Sequence, residues 1–413
     1  MIRNYFKLAL KILLRRKFFT FVSLFGTGFT LLVLLLVAAI LDSAMAPGVP
    51  ETKLDRTLHV GNVRMAGPRN ESSSSAGFLL LDQYLRDIEG VETFAICSGA
   101  EPAAAFKDGK KFELQVRHTD AAFWEAFTFD FLAGRPFSDA EDKSAAMVAV
   151  INESTKRRFF GEKEAVGERI EAGGQRYEVI GVVSDVAIVR VNTSAEIWAP
   201  IGTIPSPEFR RRLLGGFTGV LVVVDRAAMN GVREEVASRV SHVQLLQPDR
   251  YDTIEAPAST QIELVARDTV GERYGKARVG RFFAFVLGGA ILFMALPAIN
   301  LINVNLSRML ERASEIGVRK AFGATSTQLV GQFVFENVIL SVLGGLLGLL
   351  GGFFVILAVN RSGVIPYADL AINYRVFLYA MAASIFFGVL SGAYPAWRMS
   401  RLDAVAALKG AIR

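Results

Sequence analysis

Hydrophobic residues make up 52% of the 413-residue chain and the mean hydropathy is +0.35, which excludes an ordinary soluble globular protein. The formal net charge is +6, but the basic residues gather at the edges of apolar runs. Neither a zinc-ligand spacing nor an RNA-binding aromatic signature occurs, so nucleic acid is excluded as a partner. The single cysteine, Cys97, cannot form an intrachain disulfide, and we expect a small, buried apolar side chain there.

Four apolar runs are long enough to cross a bilayer, which takes about 20 residues in a helix. They cover residues 18–41, 282–306, 329–359 and 376–396. The first run could instead be a signal peptide, because Ala44-Met45-Ala46 resembles a cleavage box. Its apolar stretch is longer than the roughly 7–15 residues of a signal core, and Pro47 would follow the cut. The sequence therefore favours an uncleaved membrane helix.

Basic residues flank these runs in a pattern that predicts their orientation. Residues 1–17 are basic and contain no acidic residue, and further basic clusters follow the second and fourth runs. The positive-inside rule places all three clusters in the cytoplasm. The prediction is a cytoplasmic basic N-terminus at 1–17, an outside domain with its stalk at 42–281, a cytoplasmic segment at 307–328, a short outside loop at 360–375 and a cytoplasmic tail at 397–413.

The outside region mixes strand and helix patterns. Residues 46–75 contain several prolines and a serine run and are predicted to be a loop. Strands are predicted over 112–117, 146–151, 177–184, 187–191 and 220–225, and helices over 77–88, 152–160 and 229–240. Asn152 is a predicted N-cap, and Gly173-Gly174 predicts a hairpin turn. The expected fold class is an α-helical membrane protein with four transmembrane helices plus an extracytoplasmic α+β domain.

No catalytic constellation emerges from the sequence. His59, His118 and His242 are scattered without metal-ligand spacing, so we expect no metal site. Residues 271–276 resemble a phosphate-binding loop, but the spacing is one residue short and Ala277 stands where Ser or Thr is needed; we expect a stalk helix there. We predict a non-catalytic membrane subunit with no cofactor of its own. Because residues 1–17 leave no room for a nucleotide-binding domain, ATP hydrolysis is expected in a separate chain.

The most distinctive segment follows the second run, where residues 311–324 are ERASEIGVRKAFGA. Numbered as a helix, it carries one charged stripe formed by Arg308, Glu311, Arg312, Glu315 and Arg319. Glu315 precedes Arg319 by four residues, the favourable order for a helix ion pair. Periodicity leaves two interpretations about equally open. The helix either lies on anionic lipid headgroups or docks onto a soluble motor.

The same segment resembles the MacB/FtsX-like family of ABC transporter permeases, whose pattern is approximately E-x-x-x-E-I-G-[IV]-R-x-A-x-G-A. The matching residues are Glu311, Glu315, Ile316, Gly317, Val318, Arg319, Ala321, Gly323 and Ala324. A second signature is matched in the tail by Gly392, Pro395, Ala396, Arg401, Leu402, Asp403, Ala407 and Leu408. Residues 129–137, 149–161 and 177–185 resemble the progression of the family's periplasmic core domain.

The resemblance implies mechanotransmission. In this family, closure of a separate ATPase dimer moves the spans and, through stalk helices, the outside domains, so that substrate is pushed on the outer face. ATP and Mg would bind the partner ATPase. The expected location is the bacterial inner membrane, and the expected cargo is hydrophobic or amphipathic. The residues that would couple to the ATPase are Arg308, Glu311, Arg312, Glu315, Ile316, Gly317, Arg319, Lys320 and Gly323.

Small and polar residues in the third run suggest further contacts. Gly344, Gly348 and Gly352 form a GxxxGxxxG stripe, which allows close helix approach. A contact with a second permease subunit is slightly favoured over packing within one chain. Glu336 and Asn337 are expected near the headgroups, where a polar group costs little. Two permease subunits, identical or paralogous, and two ATPase subunits are the expected assembly, in a lipid bilayer and with a possible periplasmic adaptor.

Three rival hypotheses remain. The chain could be an FtsX-like signalling subunit that relays ATP hydrolysis to a cell-wall hydrolase without transport. It could be a membrane-anchored sensor with no ATPase. A membrane enzyme is the third, although the sequence offers no nucleophile–base pair or metal set.

Overall fold

The structure, a computed structural model, describes residues 17–107, 109–270, 279–311, 318, 325–367 and 370–400. The chain separates into two compact units. The helical unit comprises Met1–Asp42, Phe283–Val364 and Leu370–Arg413. The α+β unit comprises Ser43–Phe282 and the short segment Ile365–Asp369. The second unit is therefore inserted between the first two apolar runs and takes in part of the loop between the last two.

Helices account for almost all of the described part of the helical unit. In chain order the α-helices of the described residues are α1 (Lys17–Met45), α2 (Phe123–Ala126), α3 (Asp139–Lys143), α4 (Glu153–Phe160), α5 (Met229–Ser241), α6 (Gln261–Val270), α7 (Val279–Glu311), α8 (Ser326–Ser362) and α9 (Tyr374–Ser400). By length and composition, four of them are able to cross a membrane: α1, α7, α8 and α9. These four contain the four predicted runs, and the expectation of four membrane helices is confirmed.

The α+β unit is built on one twisted sheet. Its strands are β1 (Thr57–Val60), β2 (Asn62–Ala66), β3 (Glu71–Ala76), β4 (Val91–Ser98), β5 (Glu101–Lys107), β6 (Lys110–Thr119), β7 (Phe131–Gly134), β8 (Val148–Asn152), β9 (Arg169–Ala172), β10 (Gln175–Val183), β11 (Ile197–Pro200), β12 (Leu214–Gly215), β13 (Phe217–Val223) and β14 (Thr253–Glu255). The main strand order is β11-β8-β10-β9-β5-β6-β4-β13-β3-β2-β14. Most pairs are antiparallel, but β8 with β10 and β6 with β11 are parallel.

Hydrophobic cores on both faces hold this sheet. One surrounds β1–β4, β13 and α5, with Leu58, Leu221 and Val236 fully buried. On β8, Val150 faces an aromatic core that contains Trp198, while Ile151 faces a third core that contains Tyr177. Successive strand residues point to opposite faces, so a strand buried on both sides is apolar at every position. This accounts for the continuous apolar pattern of β8.

Most predicted elements of the α+β unit are present. The predicted strands 112–117, 146–151, 177–184 and 220–225 coincide with β6, β8, β10 and β13, and the predicted helices 152–160 and 229–240 with α4 and α5. Asn152 caps α4, since its side-chain oxygen accepts a hydrogen bond of 2.9 Å from the Thr155 N–H. Gly173 and Gly174 have φ of +61° and +77°, as a tight hairpin between β9 and β10 requires.

Three local predictions are wrong. Residues 46–75, predicted to be a loop, contain β1, β2 and most of β3; the serine run pairs with β2, so sheet partners override its weak strand propensity. The predicted helix 77–88 is too long: the helical residues are 78–84, of which Leu80–Tyr84 form a π-helical turn, and Asp87 turns the chain with φ of +57°. The predicted strand 187–191 is irregular. Residues 271–276, the predicted stalk, lie outside the described residues.

Candidate coupling site and buried polar networks

The predicted ATPase-coupling residues fall at the boundary of the described chain. Arg308 and Glu311 lie at the C-terminal end of α7. The others, Arg312, Glu315, Ile316, Gly317, Arg319, Lys320 and Gly323, lie outside the described residues. Their role in coupling therefore stays a prediction based on the family signature.

A capping box at Thr325 marks the start of α8, directly after the predicted coupling segment. Thr325 is the N-cap, and its hydroxyl accepts a hydrogen bond of 3.3 Å from the Gln328 N–H. The Gln328 side chain accepts a hydrogen bond of 3.1 Å from the Thr325 N–H. This reciprocal pair is a capping box, which satisfies two N–H groups that a helix start would otherwise leave unbonded.

The glycine stripe of α8 packs against α1 of the same chain. A Cβ atom added to Gly348 would lie 2.6 Å from the Gly28 carbonyl oxygen, and one added to Gly344 would lie 2.9 Å from Thr27 Cβ. At Gly352 the nearest atom would be Leu35 Cδ1, at 3.4 Å. This corrects the preference for a contact with a second subunit. The three glycines permit close packing of α8 on α1, and that contact covers the stripe.

Polar residues in the first half of α8 are buried inside the helical unit. Glu336 is 5% exposed and Asn337 is 2% exposed, so both side chains pack inside the helical unit, and their expected depth near the headgroups stays a prediction. The Asn337 amide donates to the Phe333 carbonyl at 3.0 Å. A Cβ atom at Gly392 of α9 would lie 2.5 Å from Asn337 Nδ2, so this glycine leaves the room that the amide fills. Buried ionisable groups in membrane helices are costly, which makes Glu336 a functional candidate.

A buried arginine organises the chain between β10 and β11. Arg117, on β6, is 3% exposed. Its guanidinium donates hydrogen bonds to three backbone carbonyls: Ser98 at 2.6 Å, Val191 at 2.7 Å and Ser194 at 3.2 Å. Burial lowers the pKa of Arg117. The carbonyls of residues 191 and 194 are thereby bonded to a side chain rather than to a neighbouring strand.

Nearby, a buried ion pair joins the same stretch to the chain that follows α1. Arg190 Nη1 lies 3.1 Å from Glu51 Oε2, and the two side chains are 12% and 0% exposed. The Thr193 hydroxyl donates to the other carboxylate oxygen of Glu51 at 2.8 Å. Burial raises the pKa of Glu51, while the hydrogen bond from Thr193 and the charge of Arg190 lower it. Both carboxylate oxygens are therefore bonded, which offsets the cost of burying the charge.

A neutral polar cluster lies beside this pair. The Asn192 amide donates to Gln261 Oε1 at 2.8 Å and lies 3.3 Å from His59 Nε2. His59 is fully buried, and burial lowers its pKa to about 4. The backbone of His59 exchanges two hydrogen bonds with Ser259, of 2.7 Å and 2.9 Å. His59 is therefore a neutral core histidine at neutral pH, as the scattered pattern suggested.

Asp120 is the buried acid whose pKa is most clearly affected. Burial raises the pKa of Asp120 to about 7. One carboxylate oxygen accepts from the Phe123 N–H at 3.1 Å; the other lies 3.7 Å from Arg86 Nη2 without a hydrogen bond. Among the described residues, no group of three or more His, Cys, Asp or Glu side chains is placed to hold a metal ion.

Comparison with known proteins identifies the family. A model of the MacB-like periplasmic core domain matches residues 20–239, and a model of the FtsX-like permease C-terminal region matches residues 287–404. The chain is 26% identical over 359 residues to the macrolide export ATP-binding/permease protein MacB of Bdellovibrio bacteriovorus, covering 85% of this chain and 52% of that protein. It is 27% identical over 297 residues to the pyoverdine export ATP-binding/permease protein PvdT of Pseudomonas syringae, covering 71% and 42%.

A third relative is the ABC transporter permease YknZ of Bacillus subtilis, which is 25% identical over 326 residues, covering 79% of this chain and 77% of that one. The solved extracellular domain of YknZ covers 48% of this chain and 98% of its own, at 15% identity and a TM-score of 0.36. The chain spans about half the length of the ATP-binding/permease relatives that it matches.

The fold and these matches define a membrane protein with four candidate spans and an α+β domain of periplasmic type. The chain belongs to the MacB/FtsX-like family of ABC transporter permeases. The family and fold class predicted from the sequence are thus confirmed.

Sequence reasoning missed the buried polar network. Arg117 lies in an alternating strand, and Arg190, Asn192 and Glu51 lie in segments that look like ordinary surface chain. Arg190 and Glu51 are 139 residues apart in the sequence, and Asn192 and His59 are 133 apart, so no local pattern joins these partners.

Proposed function

We propose that this chain is the permease subunit of an ATP-driven transporter that works by mechanotransmission. A separate ATPase moves α1, α7, α8 and α9, and the α+β unit converts that movement into export or extraction of a hydrophobic or amphipathic substrate. The observation that carries the proposal is the insertion of a large domain between the first two candidate spans. Because α1 and α7 are covalently connected to this domain, movement of either helix displaces the chain that enters the domain.

The named relatives support the cargo class and the energy source. MacB and PvdT are named as export proteins for a macrolide and for pyoverdine, and both names include an ATP-binding function. The sequence of this chain contains no phosphate-binding loop with the required spacing. We therefore assign ATP and Mg binding to a separate ATPase chain.

Coupling is proposed to occur through the segment between α7 and α8. The family signature supports Glu311, Glu315 and Arg319 as residues that dock onto the ATPase, and the charged stripe of the same segment adds Arg308. The positive-inside pattern supports a cytoplasmic position for this segment and for both termini, in a bacterial inner membrane. The outer side then contains the α+β unit.

Two permease and two ATPase subunits form the proposed assembly, because a closed two-fold arrangement is the commonest symmetry of oligomers. The second permease is an identical copy or a paralogue. Since α1 covers the glycine stripe of α8, the contact between permeases is expected on other helix faces. A periplasmic adaptor is a further proposed partner.

The decisive experiment is gentle purification of the full chain from its native host, with mass-spectrometric identification of co-purifying ATPases. The wild type is compared with the double variant Arg319→Glu/Glu315→Arg. The matched control is Arg361→Glu, an exposed arginine at the opposite end of α8. Recovery of an ABC ATPase with the wild type and the control, but not with the double variant, would support both the motor and its docking segment.

Other outcomes discriminate among the rivals. An ATPase that co-purifies with every variant keeps the ABC assignment and moves the contact elsewhere. If no ATPase co-purifies with a folded wild-type preparation, the result favours the hypothesis of a membrane-anchored sensor. A co-purifying cell-wall hydrolase, together with unchanged efflux of amphipathic compounds after gene deletion, would favour the signalling hypothesis over transport.

A further inference from the structure

The chain between β10 and β11, residues 184–196, is here named the junction loop. The α+β unit is connected to the helical unit at three places: after α1, before α7 and between α8 and α9. Each of these entry segments contributes residues to the α+β unit, and each is bonded to the junction loop. The three sets of bonds use different loop residues, so they can be broken separately.

The first entry segment, 46–51, is held by Arg190. Both guanidinium Nη atoms lie 3.4 Å from the Ala46 carbonyl oxygen, one residue after α1 ends. The same group forms the buried pair with Glu51. A Cβ atom at Gly48 would lie 2.7 Å from Arg190 Nη2, so the chain wraps closely around the guanidinium. Arg190 thus fixes the path of the chain that leaves α1.

The second entry segment begins at α6, whose first residue is Gln261. Asn192 donates to the Gln261 side chain at 2.8 Å and also contacts His59. Asn192 is 8% exposed and Gln261 is 5% exposed. Water is therefore largely excluded from this bond, and a buried amide that loses its partner is costly.

The third entry segment lies between α8 and α9. The Ile188 N–H donates to the Pro366 carbonyl at 3.3 Å. The Tyr367 hydroxyl donates to Glu196 Oε1 at 2.9 Å, and the same oxygen lies 3.2 Å from Arg158 Nη1. Burial raises the pKa of Tyr367 to about 12, so the phenol keeps the proton that it donates.

The junction loop is also bonded to the sheet. Arg117 of β6 donates to the carbonyls of residues 191 and 194, and the Trp198 indole of β11 donates to the Thr193 carbonyl at 3.2 Å. These contacts join the loop to neighbouring strands, which pair with each other in parallel. A displacement of the loop is therefore transmitted to the sheet.

We propose that the junction loop is the transmission element of the α+β unit. Arg190, Asn192 and Glu196 are positioning residues that hold the three entry segments in one fixed relation, so that movement of the spans reaches the sheet as a single motion. The claim that the spans drive this motion rests on the proposed function. The bonds that link the three entry segments are independent of that function. Short bonds among largely buried groups are well suited to this role, because water does not compete for them.

The test is hydrogen–deuterium exchange on the full chain with its ATPase in lipid nanodiscs, nucleotide-free and trapped with ATP and vanadate. The variants are Arg190→Ala, Asn192→Ala, Tyr367→Phe and the three combined. The matched control is Arg135→Ala, which breaks an exposed pair with Glu141 and contacts no entry segment. If Arg190→Ala fails to fold because Glu51 is left unpaired, Arg190→Met/Glu51→Gln replaces it.

In the nucleotide-free state each single variant is expected to speed exchange about tenfold in its own entry segment and in residues 184–196, because one buried hydrogen bond is lost. The control should leave both unchanged. When the wild type is trapped with ATP and vanadate, the exchange rates of the entry segments and of the junction loop should both differ from their nucleotide-free values. In the triple variant the entry segments should still respond while residues 184–196 do not.

The inference is overturned if the single variants leave exchange in the entry segments within about twofold of wild type, or if the loop responds to trapping equally in the triple variant. A wild type whose α+β unit shows no response to trapping counts against the proposed function instead. In that case the nucleotide-free comparison still decides whether the junction loop links the segments.

Discussion

In the helical unit, the described side chains of Thr30 and Ser391 bond within their own helices, whereas several buried side chains of the α+β unit join segments that are distant in sequence. Thr30 donates to the Gly26 carbonyl, four residues back, and Ser391 donates to the Gly388 carbonyl, three back. In the α+β unit, Thr193 and Glu51 are 142 residues apart, and Asn192 and His59 are 133 apart. The two units therefore use the same chemistry for different purposes.

Close helix packing joins α1 and α8 in the helical unit. Gly28 on α1 faces Gly344 and Gly348 on α8 at backbone contact distance. Packing of this kind depends on shape, and helices in lipid gain little from burying apolar surface against each other. We infer that α1 and α8 can shift on one another without breaking the hydrogen bonds just named, whereas the α+β unit has to move as a body.

The largest effect is expected from Arg190→Ala. Because Glu51 is buried, loss of its cation should destabilise the α+β unit by about 3–5 kcal/mol. Urea unfolding of the detergent-solubilised chain, followed by tryptophan fluorescence, measures the change. Arg135→Ala breaks a pair whose arginine is 57% exposed and should cost less than about 1 kcal/mol. If both variants lose the same free energy of unfolding, the buried Arg190–Glu51 pair contributes no more to stability than the exposed Arg135–Glu141 pair, and the prediction is wrong.

Gly348→Leu tests the helical unit. The new Cβ would lie 2.6 Å from the Gly28 oxygen and 2.9 Å from Leu31 Cβ, and overpacking of this kind should cost about 3 kcal/mol. A lower thermal midpoint and a smaller yield of monodisperse protein in detergent would report it. Gly289→Leu on α7, where an added Cβ meets no atom within 4 Å, is the control. A normal Gly348→Leu protein would contradict the close packing of α1 on α8.

Asp120→Asn probes a buried charge that has no full partner. The folded-state pKa of about 7 lies above the ordinary 3.8, so ionisation costs stability as pH rises through that interval and the whole cost is present above it. The variant should therefore be more stable than the wild type near pH 8 and differ little from it near pH 4. Unfolding measured at both values checks the sign. An equal gain at both would mean that the acid does not titrate in this range.

Thr325→Ala should have the smallest effect. Removing the cap of α8 is expected to cost about 1 kcal/mol, because the Gln328 N–H loses its acceptor. Thr325→Ser keeps the hydroxyl and should restore stability. Thermal unfolding in detergent compares the three proteins, and a loss that serine fails to restore would show that the threonine methyl group, rather than the cap, is responsible.

Local patterns were sufficient to predict much of the fold. Long apolar runs specify α1, α7, α8 and α9 because a membrane helix needs only length and composition. Alternating or continuous apolar residues specify β6, β8 and β10, and a single amide specifies the start of α4. These signals lie within the elements themselves, so one sequence is enough to find them.

The missed features depend on partners distant in sequence. The serine run of β3 becomes a strand because β2 pairs with it, whereas the Ala187 and Arg190 carbonyls accept from N–H groups three or four residues ahead and the Val191 carbonyl accepts from Arg117. The glycines of α8 were recognised as a contact surface, but the sequence does not state whether the partner helix belongs to the same chain. The coupling residues from Arg308 to Gly323 rest on the family signature alone.

The side-by-side placement of the two ends of the α+β unit has a consequence for engineering. His59 and Ser259 exchange backbone hydrogen bonds, so residues near the beginning and near the end of the insertion are neighbours. A segment whose ends lie side by side adds little loop-closure entropy to the protein that carries it. The segment between His59 and Ser259 is therefore suited to exchange, because a short linker can bridge the ends that its excision leaves and a related segment with the same end spacing can take its place.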